Sequence, residues 1–319
     1  MILTVPAQFR PKDLKPYPSH QKGLLLEEYA SRYFQRNLVR TSRIYAPIYW
    51  TAYHRTTDYG KGLPALKAYW QTVKAQNSRR KFWTVCQYDD STLLNDPDLL
   101  TFCAGGNVLD DEPVPLLCDA HPSLSPIRNP SLLAGFIGGN THPIRRQLHA
   151  VLSRSPGFSV TVNGIDGAGQ PSHSRIGTQP ALRYQPSRIN RLKRLVAVKA
   201  KFGTDSFLRL MADCKFSLCP RGYGPTSFRL YESLQLGVVP VYISDRFWLP
   251  FTNQLDWERF AVLVPEHKIE QIPEILRSIS DQRRAEMKAA GREAWDNYLC
   301  MSSTCRHIAA GLEKEQHCA

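Results

Sequence analysis

Short apolar runs alternate along this chain with stretches whose apolar residues step by three or four, a pattern that predicts strands alternating with helices. Residues 22–39 put Leu25, Tyr29 and Phe34 toward a core at helical spacing. Residues 43–50 read as a strand, 64–75 as a helix, and 81–88 as an apolar strand ending in Asp89-Asp90. Short strands are expected at 100–103 and 114–118, completing one Rossmann-like half. Residues 119–132, rich in Pro and Ser, read as a linker between two domains.

The second half opens with a strand at 133–137 that runs into Gly138-Gly139, then a helix at 143–153 and a strand at 158–162. Residues 163–187 are rich in Gly, Ser, Pro and Gln and read as a long loop, a common form for a functional lid. A strand at 216–218, a turn at 219–225, a helix at 226–236 stopped by Gly237, and a strand at 238–244 make a βαβ unit. A further strand at 260–264 and helices at 268–279 and 281–298 follow. The division expected is 1–130, 131–298 and a tail at 299–319. No repeat of solenoid period is present.

The βαβ unit carries the chemistry. Its helix should begin at the carboxyl edge of a parallel sheet, where bare N–H groups and the helix dipole attract an anion such as a phosphate. Gly222 and Gly224, flanking Tyr223, allow close backbone approach to a ligand. Thr226 and Ser227 are N-cap types with hydroxyls to offer. Arg221 and Arg229 add forked, charged donors. Glu232 shares a helix face with Arg229 and lies about 9 Å from Thr226 at about 1.5 Å per residue, the reach from a diphosphate to ribose hydroxyls. On an exposed face, Glu232 would matter to binding and little to folding. The plain alternative is a turn followed by a surface Arg229–Glu232 pair.

The stretch Leu218-Cys-Pro-Arg-Gly-Tyr-Gly-Pro-Thr-Ser-Phe-Arg-Leu-Tyr-Glu232, with Gly237-Val-Val-Pro-Val241, resembles the exostosin family, glycosyltransferase family 47. Val238 stands where that family usually has a cysteine. Leu249-Pro-Phe251 and Leu255-Asp-Trp257 are similar to its next segment, and Leu133-Ala-Gly-Phe-Ile-Gly-Gly139 followed by Arg145 gives a weaker upstream match. The resemblance implies an inverting transferase of GT-B architecture, two Rossmann-like α/β domains facing across a cleft. It implies a nucleotide-sugar donor, typically UDP-linked, a glycan hydroxyl acceptor and no metal. In that architecture the last helix often crosses back to the first domain, so residues 299–319 are expected to pack there.

An inverting transfer needs a base for the acceptor hydroxyl. Val85-Cys-Gln-Tyr-Asp-Asp-Ser91 faintly resembles a His-Asp stretch of plant family members, with Tyr88 in place of the His. Asp89 and Asp90 are therefore the candidates, and continued strand alternation would turn only Asp89 to the cleft. Asp58, His54 and His121 are rivals. Arg145, early in a helix, is expected to reach the leaving diphosphate across the cleft. Asp96-Pro-Asp98 has a metal-binding form but reads better as a turn and helix start.

The 319 residues carry a net charge of +13 and are 42% hydrophobic, enough for real cores and suited to a polyanionic partner. Nucleotide, nucleic acid and acidic glycan all fit that charge, so a non-catalytic basic binding protein is the alternative function. The basic runs at 79–81 and 188–194 come with no nucleic-acid motif. No apolar run approaches the roughly 18 residues of a membrane span, and no basic leader opens the chain, so a soluble cytoplasmic enzyme of a microbe or large virus is expected. The eight cysteines show no zinc-ribbon spacing and read as buried free thiols.

Overall fold

The computed structural model describes residues 1–12, 24–117, 129–163 and 206–317. Most of the expected linker, the expected loop from 164 on, the 188–194 basic run and His121 lie outside them.

The first sheet has four parallel strands in the order β1 (Ile44–Tyr45), β2 (Phe82–Cys86), β3 (Leu99–Cys103) and β4 (Glu112–Pro113). A parallel strand covered on both faces has no solvent side, and every residue of β2, Phe-Trp-Thr-Val-Cys, is buried. Trp83 stacks on Tyr45 at 4.2 Å between centroids and takes the edge of Phe34 at 4.8 Å. Helices α1 (Leu26–Arg36), α2 (Trp50–Thr56) and α3 (Leu63–Gln76) belong to this half.

Two strand expectations fail here. The apolar run at 43–50 pairs only at Ile44–Tyr45, because Pro47 breaks it and Trp50 already opens α2. The Trp50 indole there donates to Thr84 Oγ1 at 2.9 Å. The strand expected at 114–118 is instead the two-residue β4, which starts and ends earlier; residues 114–117 are buried beyond its end, with Val114 N–H donating to Cys103 O at 3.1 Å.

The second sheet has five parallel strands in the order β6-β5-β7-β8-β9: β5 (Leu132–Gly139), β6 (Phe158–Asn163), β7 (Cys214–Pro220), β8 (Val239–Ile243) and β9 (Val262–Val264). Numbered within this half the order is 2-1-3-4-5, a doubly wound sheet whose order reverses between β5 and β7. A reversal of this kind is where doubly wound sheets bind their ligands, beyond the carboxyl ends of the strands. Pro240 sits in β8 ahead of the β9 ladder, whose first pair is Val241 with Val262. Helices α4 (Pro143–Leu152), α5 (Ser206–Ala212) and α6 (Phe228–Leu236) connect the strands. Gly237 ends α6 at φ 71°, a left-handed conformation that favours glycine.

Beyond β9 the chain forms a 3-10 turn at Glu266–Gln271, then α7 (Ile272–Ser278) and α8 (Asp281–Ala294), which passes through a π turn at Trp295–Leu299 rather than continuing as one helix to 298. The last helix, α9 (Met301–His317), packs on α1 of the first half: Cys305, Ile308 and Leu312 share one buried cluster with Leu26, Ala30 and Phe34. Glu315 near its end takes a forked pair from Arg43 at 2.9 and 2.6 Å. The two parallel α/β halves meet with their carboxyl edges turned toward each other across a cleft: Gly224 after β7 lies against Asp89 after β2.

Candidate active site

The turn after β2 and the loop after β7 meet across that cleft. Arg221 fixes the β7 loop: its N–H donates to Ile243 O at 3.0 Å, Nε to Gly224 O at 3.3 Å and Nη2 to Tyr223 O at 3.0 Å. Gly222 N–H closes the loop on Thr226 O at 3.0 Å. The N-cap of α6 is Ser227, whose Oγ accepts from Arg229 N at 3.3 Å. Thr226 is buried one step earlier, its hydroxyl beside the buried Tyr231 phenol. It therefore supports the loop from within.

Glycine at 224 is a steric requirement. A Cβ there would stand 2.5 Å from Gly105 O and 2.7 Å from Asp89 Oδ1, both in the other half. A Cβ at Gly105 would in turn meet the Asp89 backbone at 2.2 Å. Trp248, from the segment after β8, reaches into the first half and donates its indole N–H to Cys103 O at 3.1 Å. It packs flat against Gly106, where φ is +80°. The halves thus touch through glycines and one tryptophan, beside the aspartates.

Both aspartates face the cleft. β2 ends at Cys86, and the turn that follows does not keep strand alternation. The expectation that Asp90 points away is therefore corrected. Asp90 Oδ1 accepts from Asn107 Nδ2 at 2.8 Å, and Oδ2 accepts from Tyr223 Oη of the opposite half at 3.3 Å. The Asp89 carboxyl has no hydrogen-bond donor among the described residues. Burial and then the Asp90 charge push it up to about 7, against the pull of Arg221 and Arg145. The Tyr223 phenol is pushed up to about 12, by burial and then by Asp90.

Arg145 does not reach across the cleft. It lies in the second half and binds three backbone carbonyls at the reversal point: Gly139 (3.0 Å), Pro220 (3.1 Å) and Arg221 (2.9 Å). A Cβ at Gly222 would sit 3.5 Å from Arg145 Nη2, so the guanidinium forms the floor under the glycine loop. His142, the cap of α4, is held down to about 4 by burial and the positive fields of Arg221 and Arg145. Glu266 partly balances this charge, 3.8 Å from Arg221 Nη1 and 3.9 Å from His142 Nδ1.

Arg229 donates to Ile137 O at 3.3 Å and pairs with Glu232. Glu232 is only 3% exposed, so this is a buried pair and not the exposed helix face expected. The rivals to the aspartates have other places. His54 is fully buried against Tyr88, and burial holds it down to about 4. Asp58 is an exposed partner of Lys61. Asp96 accepts from the Trp70 indole at 2.6 Å and from Lys74 at 3.0 Å, and Asp98 also pairs with Lys74, so this motif ties α3 to the turn before β3.

The family model of the exostosin GT47 domain matches residues 110–279, more than half of the chain. The chain belongs to the exostosin GT47 family. The exostosin-1 homologue of Caenorhabditis elegans is 43% identical over 90 residues, 28% of this chain and 24% of that protein. A probable glycosyltransferase of Arabidopsis thaliana is 27% identical over 230 residues, 68% of this chain and 44% of that protein. The chain thus matches less than half the length of either relative. The solved structure of TarM covers 89% of this chain and 57% of its own, at 8% identity and a TM-score of 0.41. Among the described residues, no helix is long and apolar enough to cross a membrane.

Within this exostosin-family site, the residues missed in the sequence are Gly105, Asn107, His142, Trp248 and Glu266. Gly105-Gly106 had a signal: a glycine pair just after an apolar strand, as at Gly138-Gly139. The others had none, since their partners are distant in sequence.

Proposed function

We propose that the protein transfers a sugar, with inversion, from a nucleoside diphosphate donor, UDP-linked, to a glycan hydroxyl. The observation that carries this reading is Asp89: a cleft carboxyl poised at about 7, facing a glycine loop and the start of a helix. A base whose proton affinity matches neutral pH is the group that acceptor activation calls for. The diphosphate would lie at the β5–β7 reversal, against the Gly222–Gly224 backbone, with Ser227 and the N-terminal N–H groups of α6 beside it. Arg221 and the Arg145 floor supply positive potential where leaving-group charge develops, a preorganised stabilisation. Glu232, held by Arg229, is the acceptor proposed for the ribose hydroxyls. The matched family and the transferase named among its relatives support the same class.

Donor and metal dependence are tested together. UDP release is followed across a panel of UDP-sugars with glycan acceptors, with and without EDTA. Turnover with at least one donor that survives chelation is expected. Loss on chelation with recovery on adding Mn²⁺ would contradict the metal-free mechanism, and absence of UDP binding would contradict the whole reading.

A further inference from the structure

The two cleft aspartates are not equivalent, and one residue outside the recognised motifs separates them. Asn107 follows the Gly105-Gly106 pair on the β3 side of the first half. Its backbone N–H donates to Asp89 O at 3.0 Å, and its side-chain amide donates to Asp90 Oδ1 at 2.8 Å. One residue thus fixes the main chain of the first aspartate and the carboxylate of the second. The second oxygen of Asp90 is met from the opposite half by Tyr223 Oη at 3.3 Å. Asp89 keeps its carboxyl against Gly224, which leaves no room for a side chain between them.

We propose that Asn107 is a positioning residue of the transfer reaction: with Tyr223 it anchors Asp90 across the cleft, leaving the neighbouring Asp89 as the one carboxylate open to the acceptor. This rests on the reading of Asp89 as base. The amide and the phenol each donate to one oxygen of Asp90, so neither oxygen is left to turn toward the acceptor. Without those anchors either carboxylate could swing toward the acceptor, and the base would not be a single defined group. Because Tyr223 and Gly224 sit on the donor loop, the arrangement is complete only when the halves are closed on each other. Asp90, Tyr88, Tyr223, Arg221 and Arg145 are the titratable and charged groups around Asp89.

The test compares Asn107→Ala, Tyr223→Phe and Asp90→Asn, singly and combined, on full-length protein with the UDP-sugar that gives turnover in the wild type. Asn107→Ala should lower kcat by on the order of 10²-fold, the effect of a small misplacement, while UDP affinity by calorimetry stays within about twofold. In the Asp90→Asn background, Asn107→Ala should cause almost no further loss, since both act through one carboxylate. A merely structural asparagine would instead add its full loss there and lower thermal stability in step. Wild-type kcat in Asn107→Ala, or additive losses with Asp90→Asn, overturns the proposal. If Asn107→Ala fails to fold, Tyr223→Phe gives the same comparison from the other half. Asp89→Asn is measured alongside. Full turnover in that variant fails the base reading itself, whereas an inactive Asp89→Asn beside a fully active Asn107→Ala fails only the positioning claim.

Discussion

Asp90 and Tyr223 meet across the interdomain cleft, carboxylate Oδ2 to phenol Oη at 3.3 Å, although 133 positions separate them in the chain. This contact ties the turn that carries Asp89 to the loop after β7. It also places a fixed negative charge beside Asp89, which is part of why that carboxyl is pushed up.

A pH consequence follows. With Asp89 as the proposed base its deprotonated form is the active one, so kcat/KM should fall below an acid limb near 7. In Asp90→Asn the neighbouring charge is gone, and the limb should move to lower pH. A pH–rate profile of both proteins checks this; an unmoved limb would mean that another group sets it.

Glu232→Ala should now affect folding as well as binding. Its pair with Arg229 is buried, at 3% and 14% side-chain exposure. Removing one partner leaves a largely buried charge, a loss on the order of 3 kcal/mol. Urea unfolding of the variant should show that loss, and UDP affinity should fall with it. Unchanged stability would mean that Arg229 finds another acceptor at no cost.

Stability should also depend on Glu27. This residue, in the first turn of α1, is buried and accepts from Thr51 N at 3.1 Å, Thr51 Oγ1 at 2.8 Å and Gln87 N at 2.7 Å. Burial outweighs these donors and pushes its carboxyl up to about 8 from 4.5. A raised value means that folding holds the proton. The contribution is therefore whole below about pH 4.5 and lost as pH rises through 8. Glu27→Gln, which cannot ionise, should lose less stability than the wild type between those pH values in thermal melts. Parallel curves would show that Glu27 ionises in the fold at its ordinary value and that burial does not raise it.

The sheet-forming halves and the glycine loop were legible because their signals are local. Gly237 takes a left-handed φ of 71° and Ser227 caps α6, both local demands, and the strand β8 that follows is apolar and buried throughout. The run at 43–50 reads as a strand because six apolar or aromatic residues surround Pro47, while that proline and the packing of Trp50 decide otherwise. Glu27 reads as a solvated charge at a helix start; its burial comes from Thr51 and Gln87, both remote in sequence. Asn107 was invisible for the same reason, and the orientation of Asp90 was misjudged because a turn, not a strand, carries it.

The most direct test of the account is Asp89→Asn, which keeps the size of the side chain and removes its basicity. UDP release from the best UDP-sugar in the presence of acceptor is measured for wild type and variant, with UDP affinity determined by calorimetry on both. The account predicts a fall in turnover of roughly 10²–10⁴-fold with UDP affinity unchanged. A variant that retains most of its turnover would contradict it and place the base elsewhere in the cleft.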